Sequence, residues 1–280
     1  MTNYQVRHAA HPSDVKNYDT QKLRDHFLFE NVMKLNEVNM VYSLYDRVIA
    51  GGAVPVEKPL PLEAIDPLKA EYFLERREIG IVNVGQAIGI VSVDGTTYEL
   101  GFKEALYLGK GNKDVKFSSS DAKSPARFYF VSTPAHRECP NKKVTLAEAE
   151  IVPLGSSETC NERVINKLIV NTTVETCQLQ LGMTELKNGS VWNTMPAHVH
   201  DRRMEWYFYL EVPQDQAVLH LMGEPQETRH IWMHNEQAVI SPNWSIHSAA
   251  ATASYTFIWG MGGENLNYGD VDGCAILDLR

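Results

Sequence analysis

The chain has 280 residues, with a hydrophobic content of 44%, a charged content of 22% and a formal net charge of −9 at pH 7. These values are typical of a soluble globular protein with a full core, and the length suggests about two domains of ~150 residues. The negative charge and the lack of a Lys/Arg-rich block argue against nucleic-acid partners, because phosphate binding requires clustered cations.

The N-terminal residues are polar and lack the apolar stretch of a secretory signal, which predicts a cytoplasmic protein. No apolar run reaches the roughly 18 residues of a membrane span, so no membrane partner is expected. The four cysteines show no C-x-x-C spacing and are expected to be free thiols without a chemical role; they are Cys139, Cys160, Cys177 and Cys274.

Residues 1–70 are predicted to form an N-terminal arm with short helices. Asp19 or Thr20 can cap a helix over T-Q-K-L-R-D-H-F-L, in which Leu23 and Phe27 share one face. The later segment P-L-P-L-E-A-I-D-P-L-K-A is punctuated by prolines and predicts a turn followed by a short helix.

From about Tyr72 onward the pattern changes to short strands that are rich in β-branched and aromatic residues, such as I-G-I-V-N-V and A-R-F-Y-F-V-S-T. Asp94 and Gly95 lie between two such runs and predict a hairpin. Strands such as E-W-Y-F-Y-L-E-V and Y-T-F-I-W-G continue this pattern to the end. Many short strands at nearly regular intervals predict an all-β sandwich or barrel.

The most informative residues are two histidines in an H-x-H pair, a glutamate and a later histidine: His198, His200, Glu205 and His247. Side chains at i and i+2 on a strand project to the same face, so the paired histidines point together. The intervening D-R-R-M is long enough to turn the chain and bring the glutamate to them. Three imidazoles and one carboxylate suit Zn, Mn, Fe, Co or Ni without selecting sharply among them.

The two parts of the strand region resemble each other, which predicts an internal duplication. E-R-R-E-I-G-I-V-N-V followed by G-I-V-S-V-D-G-T-T-Y-E-L parallels D-R-R-M-E-W-Y-F-Y-L followed by A-V-L-H-L-M-G. Only the second copy carries the H-x-H pair. We therefore expect residues 71–155 to form a half without a metal and residues 156–280 to form the metal-binding half.

The ligand pattern resembles the cupin superfamily, in which a small jelly-roll barrel holds one metal through two histidines, a glutamate and a later histidine. The stretches M-P-A-H-V-H-D-R-R-M-E-W-Y-F-Y-L and Y-T-F-I-W-G-M-G-G-E-N narrow the resemblance to the 5-keto-4-deoxyuronate isomerase family of bacterial pectin and uronate breakdown. The N-terminal H-P-S-D-V-K-N-Y-D-T-Q-K-L-R-D-H-F-L also resembles that family, so the similarity extends over essentially the whole chain.

This resemblance implies an all-β bicupin, with two jelly-roll barrels or sandwiches and a short helical N-terminal arm. It also implies a homo-oligomer, specifically a hexamer, and one Zn²⁺ per chain. The implied zinc ligands are His198, His200, Glu205 and His247.

The reaction implied by the resemblance is a ketol isomerisation that converts 5-dehydro-4-deoxy-D-glucuronate into 3-deoxy-D-glycero-2,5-hexodiulosonate. A divalent cation with an open coordination position would serve as a Lewis acid. Four protein ligands, however, would fill a tetrahedral zinc site of the structural kind. The sequence leaves both a catalytic and a structural metal open, and it identifies no catalytic base.

The carboxylate of a uronate substrate requires a cationic partner, and the planar guanidinium of arginine suits a two-point contact. Arg163, Arg203 and Tyr255 are the candidates for substrate binding, although a phenol near such a site more often fills the core. Two alternatives stay open: an Fe(II)-dependent cupin dioxygenase, which would use the same ligands, and a non-catalytic sugar-binding cupin.

Overall fold

The structure is a computed structural model and describes residues 2–280. It confirms the predicted all-β class, and helices are few and short. The helices of the described residues are α1 (Pro12–Val15), α2 (Thr20–Phe27) and the 3-10 helices Asp66–Leu68, Leu146–Glu148 and Ile276–Asp278. Within this range no helix has the length and apolar character that crossing a bilayer requires.

The strands of the first part of the chain are β1 (Thr2–Arg7), β2 (Leu28–Phe29), β3 (Val38–Ser43), β4 (Ile49–Ala53), β5 (Leu60–Pro61), β6 (Arg77–Asn83), β7 (Gly89–Val93), β8 (Thr96–Leu100), β9 (Ala105–Leu108), β10 (Val115–Ser119), β11 (Phe128–Pro134) and β12 (Lys142–Val144). Those of the second part are β13 (Glu150–Leu154), β14 (Arg163–Ile169), β15 (Gln180–Leu186), β16 (Trp192–Asn193), β17 (His198–Val199), β18 (Arg203–Leu210), β19 (Val218–Glu224), β20 (Glu227–Met233), β21 (Gln237–Ser241), β22 (Ser248–Ala251), β23 (Thr256–Gly263) and β24 (Asp272–Gly273).

These strands form the same pair of sheets twice. One seven-stranded sheet has the order β1-β3-β4-β11-β6-β9-β12, and the other has the order β13-β14-β15-β23-β18-β21-β2. The accompanying four-stranded sheets have the orders β5-β10-β7-β8 and β16-β22-β19-β20. The order in which the chain visits these positions is also the same, except at the last strand of the seven-stranded sheets, where β12 follows its copy and β2 precedes it. We call the two units the first copy and the second copy.

Local sequence signals are found where they were expected. Asp19 caps α2 by accepting a hydrogen bond of 2.8 Å from the Lys22 N–H, and the buried residues of the helix are Leu23 and Phe27. Asp94 and Gly95 connect β7 to β8 with φ values of 47° and 86°. Both residues adopt the left-handed conformation that a tight hairpin turn of the primed type requires.

Residues 1–70 also supply strands to both copies. β1 pairs in parallel with β3 in the first copy, whereas the short β2 pairs with β21 in the second. The sequence analysis missed β3 and β4 because both are buried on both faces and lack the alternation that marks a half-buried strand. β13 precedes the predicted boundary between residues 155 and 156, but it pairs with β14 in the second copy.

The two seven-stranded sheets pack against each other face to face. Trp206 and Phe208 of β18 belong to one apolar cluster with Tyr129 and Val131 of β11, and the rings of Phe208 and Tyr129 stack with centroids 4.3 Å apart. A Cβ atom at Gly260 would lie 2.6 Å from Cγ2 of Val131, so the close approach of the sheets requires glycine there. The copies thus cover each other, and alternate residues of β18 face the interior of the second copy.

Candidate metal centre and cavity

The four residues singled out as metal ligands come together in the second copy. His198 lies on β17, His200 in the turn that follows, Glu205 on β18 and His247 just before β22. Nε2 of His198 is 2.9 Å from Nε2 of His247, and Oε2 of Glu205 is 3.2 Å from Nε2 of both His200 and His247. The three histidines form a group whose geometry could hold a metal ion.

The distances between these atoms fit ligands around a single cation. Zinc bonds of about 2.0–2.2 Å place ligand atoms about 2.8–3.1 Å apart at right angles, but about 3.3–3.6 Å apart in a tetrahedron. The observed separation of 2.9 Å lies within the first range, and the two separations of 3.2 Å lie between the two ranges, so these donors surround a point that one ion can occupy.

Hydrogen bonds to the far sides of the rings orient two of these histidines. Nδ1 of His200 lies 2.8 Å from the Arg203 carbonyl oxygen, and Nδ1 of His247 lies 3.0 Å from the Ser241 Oγ. A carbonyl oxygen can only accept, so His200 carries its proton on Nδ1. In the neutral ring its Nε2 therefore presents a lone pair toward the centre, as metal ligation requires.

Burial keeps two of the imidazoles neutral, whereas the Glu205 carboxylate favours a positive charge beside it. Burial lowers the pKa of His198 to about 4, and the charges of His200 and Arg203 act in the same direction. Burial also lowers the pKa of His247 well below its usual value. For His200 burial lowers the pKa, but the hydrogen bond and charge of Glu205 raise it more. The point between His200 and Glu205 thus attracts a cation.

A cavity of about 260 Å³ lies beside these residues. Its wall is mostly aromatic and apolar with a few polar groups, which is typical of sites for small molecules. Besides three of the four residues, the wall contains Leu154, Arg163, Ile165, Thr184, Thr194, Pro196, Arg203, Tyr207, Phe257, Trp259, Met261, Tyr268, Gly269 and Val271.

Arg163 brings an available positive charge to this wall. It is partly buried and donates one hydrogen bond of 2.8 Å to the Asn161 carbonyl oxygen. Within residues 2–280 no carboxylate forms an ion pair with it, whereas Arg202 binds both Asp270 and Asp272. The Arg163 guanidinium therefore has donors left for a ligand.

The other two candidates for substrate binding lie in different surroundings. Arg203 is fully buried and also lines the cavity, but its guanidinium donates to the carbonyl oxygens of Asn267 and Asp270. Tyr255 is buried, accepts a hydrogen bond from Nδ2 of Asn193 and is not among the cavity-lining residues. The structure thus brings Arg163 and Arg203 to the cavity but leaves Tyr255 in the packed interior.

The sequence analysis did not identify the C-terminal segment, residues 264–274, as part of the wall. β24 of this segment pairs with β17, and the segment contributes Tyr268, Gly269 and Val271 to the cavity. Its turn-rich sequence E-N-L-N-Y-G-D-V-D-G-C contains one aromatic residue among mostly small and polar ones. That isolated tyrosine was the available signal, but nothing in the sequence pairs the segment with Arg202 and Arg203.

Comparison with known proteins identifies relatives over the full length of the chain. The model of the KduI/IolB family matches residues 30–272. A protein of Formosa agariphila is 63% identical over 279 residues, which cover 100% of this chain and 99% of that protein. A protein of Lachnoclostridium phytofermentans is 54% identical over 276 residues, which cover 99% of this chain and 100% of that protein. Both carry the name 4-deoxy-L-threo-5-hexosulose-uronate ketol-isomerase.

Solved structures share the fold at low sequence identity. An IolB-like protein from Salmonella typhimurium LT2 superposes with a TM-score of 0.66 at 15% identity, covering 81% of this chain and 87% of that one. A mutant of Bacillus subtilis oxalate decarboxylase gives a TM-score of 0.55 at 11% identity, covering 80% of this chain and 71% of that one. These similarities concern the architecture alone.

Proposed function

This chain belongs to the KduI/IolB family, and we propose that it is an isomerase acting on 4-deoxy-L-threo-5-hexosulose-uronate, also called 5-dehydro-4-deoxy-D-glucuronate. The product is 3-deoxy-D-glycero-2,5-hexodiulosonate, formed when the carbonyl moves from the terminal carbon to its neighbour. The observation that carries the proposal is the identity of 63% over the whole chain with a relative of that name. The reaction belongs to the breakdown of uronates derived from pectin, in the cytoplasm.

We propose that the chain holds one Zn²⁺ through His198, His200, Glu205 and His247. The distances among these donors, the neutral state of two of the imidazoles and the carboxylate all support this ligand set. When bound, the ion supplies a Lewis acid for the oxygen atoms on which negative charge develops.

The substrate carboxylate is proposed to bind Arg163. This guanidinium lines the cavity, lacks a carboxylate partner in the described chain and can donate two parallel hydrogen bonds. Arg203 has a different function in this proposal: it holds the segment that carries Tyr268, and its carbonyl oxygen orients His200. A charged substrate end at Arg163 leaves the opposite, reacting end for the metal centre.

The phenols of Tyr207 and Tyr268 are proposed to donate hydrogen bonds to the substrate oxygens. Burial is the largest factor that raises the pKa of both, so both remain protonated at neutral pH. Both line the cavity, and the neighbouring wall of Phe257 and Trp259 excludes water from the reacting carbons.

A homo-oligomer, and by family resemblance a hexamer, is part of the same proposal. β13 is an edge strand with exposed apolar side chains, since Ile151 is 55% exposed and Leu154 is 42% exposed. Such an edge favours contact with another subunit. Leu154 also lines the cavity, so this contact would lie beside the site.

The test is incubation of the zinc-loaded protein with the deoxy-keto-uronate while the carbonyl carbon is followed by NMR. We expect migration of the carbonyl, loss of turnover on chelation and recovery on adding the metal. As a matched control, His230→Ala changes an exposed histidine of β20 and should retain the activity. Oxygen consumption with Fe(II) would indicate a dioxygenase instead, and saturable binding without turnover would indicate a sugar-binding protein.

A further inference from the structure

Two of the four free cysteines lie together where the first copy meets the second. Cys139 is in the loop between β11 and β12, and Cys177 is in the loop between β14 and β15. Cys139 is 6% exposed, whereas Cys177 is only partly buried. The two thiols thus belong to different copies, and an oxidant in solution reaches one of them more easily than the other.

Several polar contacts fasten the two loops to each other around the thiols. The Arg137 guanidinium pairs with the Glu175 carboxylate at 2.5 Å, and Nε2 of Gln178 donates to the Pro134 carbonyl oxygen at 2.7 Å. Sγ of Cys177 lies 3.3 Å from the Arg137 carbonyl oxygen, two residues before Cys139. These contacts fix the position of one loop relative to the other.

A buried carboxylate fixes the backbone at Cys177. Glu78 accepts hydrogen bonds from the Cys177 N–H at 2.7 Å and from the Tyr107 hydroxyl at 2.6 Å. The same tyrosine is a neighbour of Cys139. Burial raises the pKa of the Cys139 thiol, the Tyr107 hydroxyl lowers it and the adjacent Cys177 thiol raises it. Both thiols therefore share one small environment.

We propose that hydrogen peroxide drives formation of a reversible disulfide between Cys139 and Cys177, and that this bond links the two copies covalently. Disulfides require closely spaced Cα atoms and a defined torsion about the sulfur bond. Both cysteines lie in loops rather than in sheet ladders, so small backbone adjustments do not break a strand pairing.

Hydrogen peroxide oxidises the two thiols in two steps. The Cys177 thiolate attacks one oxygen of hydrogen peroxide, the O–O bond breaks and the released hydroxide takes up a proton to become water. The sulfur of Cys177 is then a sulfenic acid. The Cys139 sulfur attacks it, the S–O bond breaks, and a second water leaves with the Cys139 proton. Two thiols are oxidised to one disulfide while one peroxide is reduced to two waters.

The remaining cysteines supply a matched background for the test. The double variant Cys160→Ser with Cys274→Ser keeps only the proposed pair. We expect treatment with hydrogen peroxide to remove both remaining thiols, as counted after denaturation, and dithiothreitol to restore them. Mass spectrometry should find the peptides of Cys139 and Cys177 linked within one chain. The Tm should rise by ~5 °C, because the bond closes a loop of about 40 residues.

Single variants in the same background distinguish a bond from independent oxidation. With Cys177→Ser the buried Cys139 should stay reduced under the same treatment, and with Cys139→Ser the sulfenic acid of Cys177 should persist for trapping by dimedone. The Tm of either variant should not rise on oxidation. Persistence of both thiols in the parent background, or linkage only between chains, would overturn the proposal.

Discussion

At one equivalent position of their central sheets, the two copies of the fold carry side chains of opposite character. In the first copy Ile79 of β6 pairs with Ser132 of β11 and Leu108 of β9. In the second copy Glu205 of β18 occupies the same register, between strands β23 and β21. The same backbone position thus carries a hydrocarbon side chain in one copy and a carboxylate in the other.

The interiors of the two copies differ in polarity in the same way. The first copy is filled by apolar side chains, including Ile81, Phe117 and Phe130. The second instead contains phenols and imidazoles; the hydroxyl of Tyr209, for example, lies 2.8 Å from Nδ1 of His220. Because buried polar groups cost stability unless they are bonded, the second interior is the less favourable one for folding. Among the described residues only the second copy brings three histidines close enough to share one ion. We therefore attribute its polar interior to the proposed metal and substrate rather than to the needs of folding.

The largest effect should follow from making the second copy resemble the first. Glu205→Ile should abolish binding of the metal and reduce turnover by more than about 100-fold, since even residues that only support a ligand contribute 10–100-fold. Elemental analysis and the NMR assay measure both quantities. Ile79→Val is the matched control in the first copy and should leave the metal content unchanged. Full metal occupancy in Glu205→Ile, or in His198→Ala with His247→Ala, would show that the ligands are misassigned.

The next effect concerns the charge that the second copy presents to its cavity. Arg163→Ala should lower kcat/KM by roughly 30- to 1000-fold, because a pair of charge-assisted hydrogen bonds contributes about 2–4 kcal/mol. Arg163→Lys keeps the charge but loses the two-point contact, and it should recover only part of the activity. Arg229→Ala removes an arginine already paired with Glu227 and serves as the control. An unchanged KM in Arg163→Ala would contradict the assignment.

A smaller effect is expected at the junction between the copies. Glu78 is fully buried and accepts three backbone N–H groups from residues 177–179 of the second copy. Glu78→Gln replaces one acceptor by an NH₂ group and should lower the free energy of unfolding by about 2–3 kcal/mol. Denaturant titration measures this, with the exposed Glu99→Gln as the control. Separate unfolding transitions in the variant would reveal that this carboxylate couples the copies.

The smallest structural effect should follow removal of the metal. Chelation should abolish turnover while the far-UV circular dichroism spectrum stays unchanged. The free energy of unfolding should fall only by the free energy of metal binding, because a ligand stabilises the folded state that binds it by mass action. Unfolding of the second copy on chelation would instead identify the metal as structural.

Local patterns allowed much of this molecule to be predicted from its sequence. The cap at Asp19 and the Asp94-Gly95 turn depend only on neighbouring residues. The H-x-H pair was expected on one strand, but β17 ends at Val199, and the turn at His200 and its hydrogen bond to the Arg203 carbonyl oxygen orient that ring instead. Strands buried on both faces lack alternation, which is why β3 and β4 were missed. The alternation of side chains along a strand gives the face of each residue but not its depth in the fold. The sequence therefore did not distinguish Tyr255 from a residue of the cavity wall.

The contacts of the two arginine candidates were also beyond local reasoning. Arg163 and Arg203 are alike in sequence terms, each opening a strand. Only the folded C-terminal segment, more than sixty residues beyond Arg203, supplies the carbonyl oxygens that occupy one guanidinium and leave the other available. Hydrogen bonds between residues so far apart in the chain depend on the tertiary structure, and no short stretch of the sequence predicts them.

The placement of β2 and β13 has a consequence for dissecting this protein. A fragment that begins at residue 156 would lack two of the seven strands of its main sheet, one from each edge. The backbone of β14 and of β21 would then be exposed as two unprotected edges, which promotes aggregation. The two copies are therefore not separable modules. β2, near the start of the chain, is an edge strand of the second copy and pairs with β21, about two hundred residues later. Engineering of this site requires the intact polypeptide.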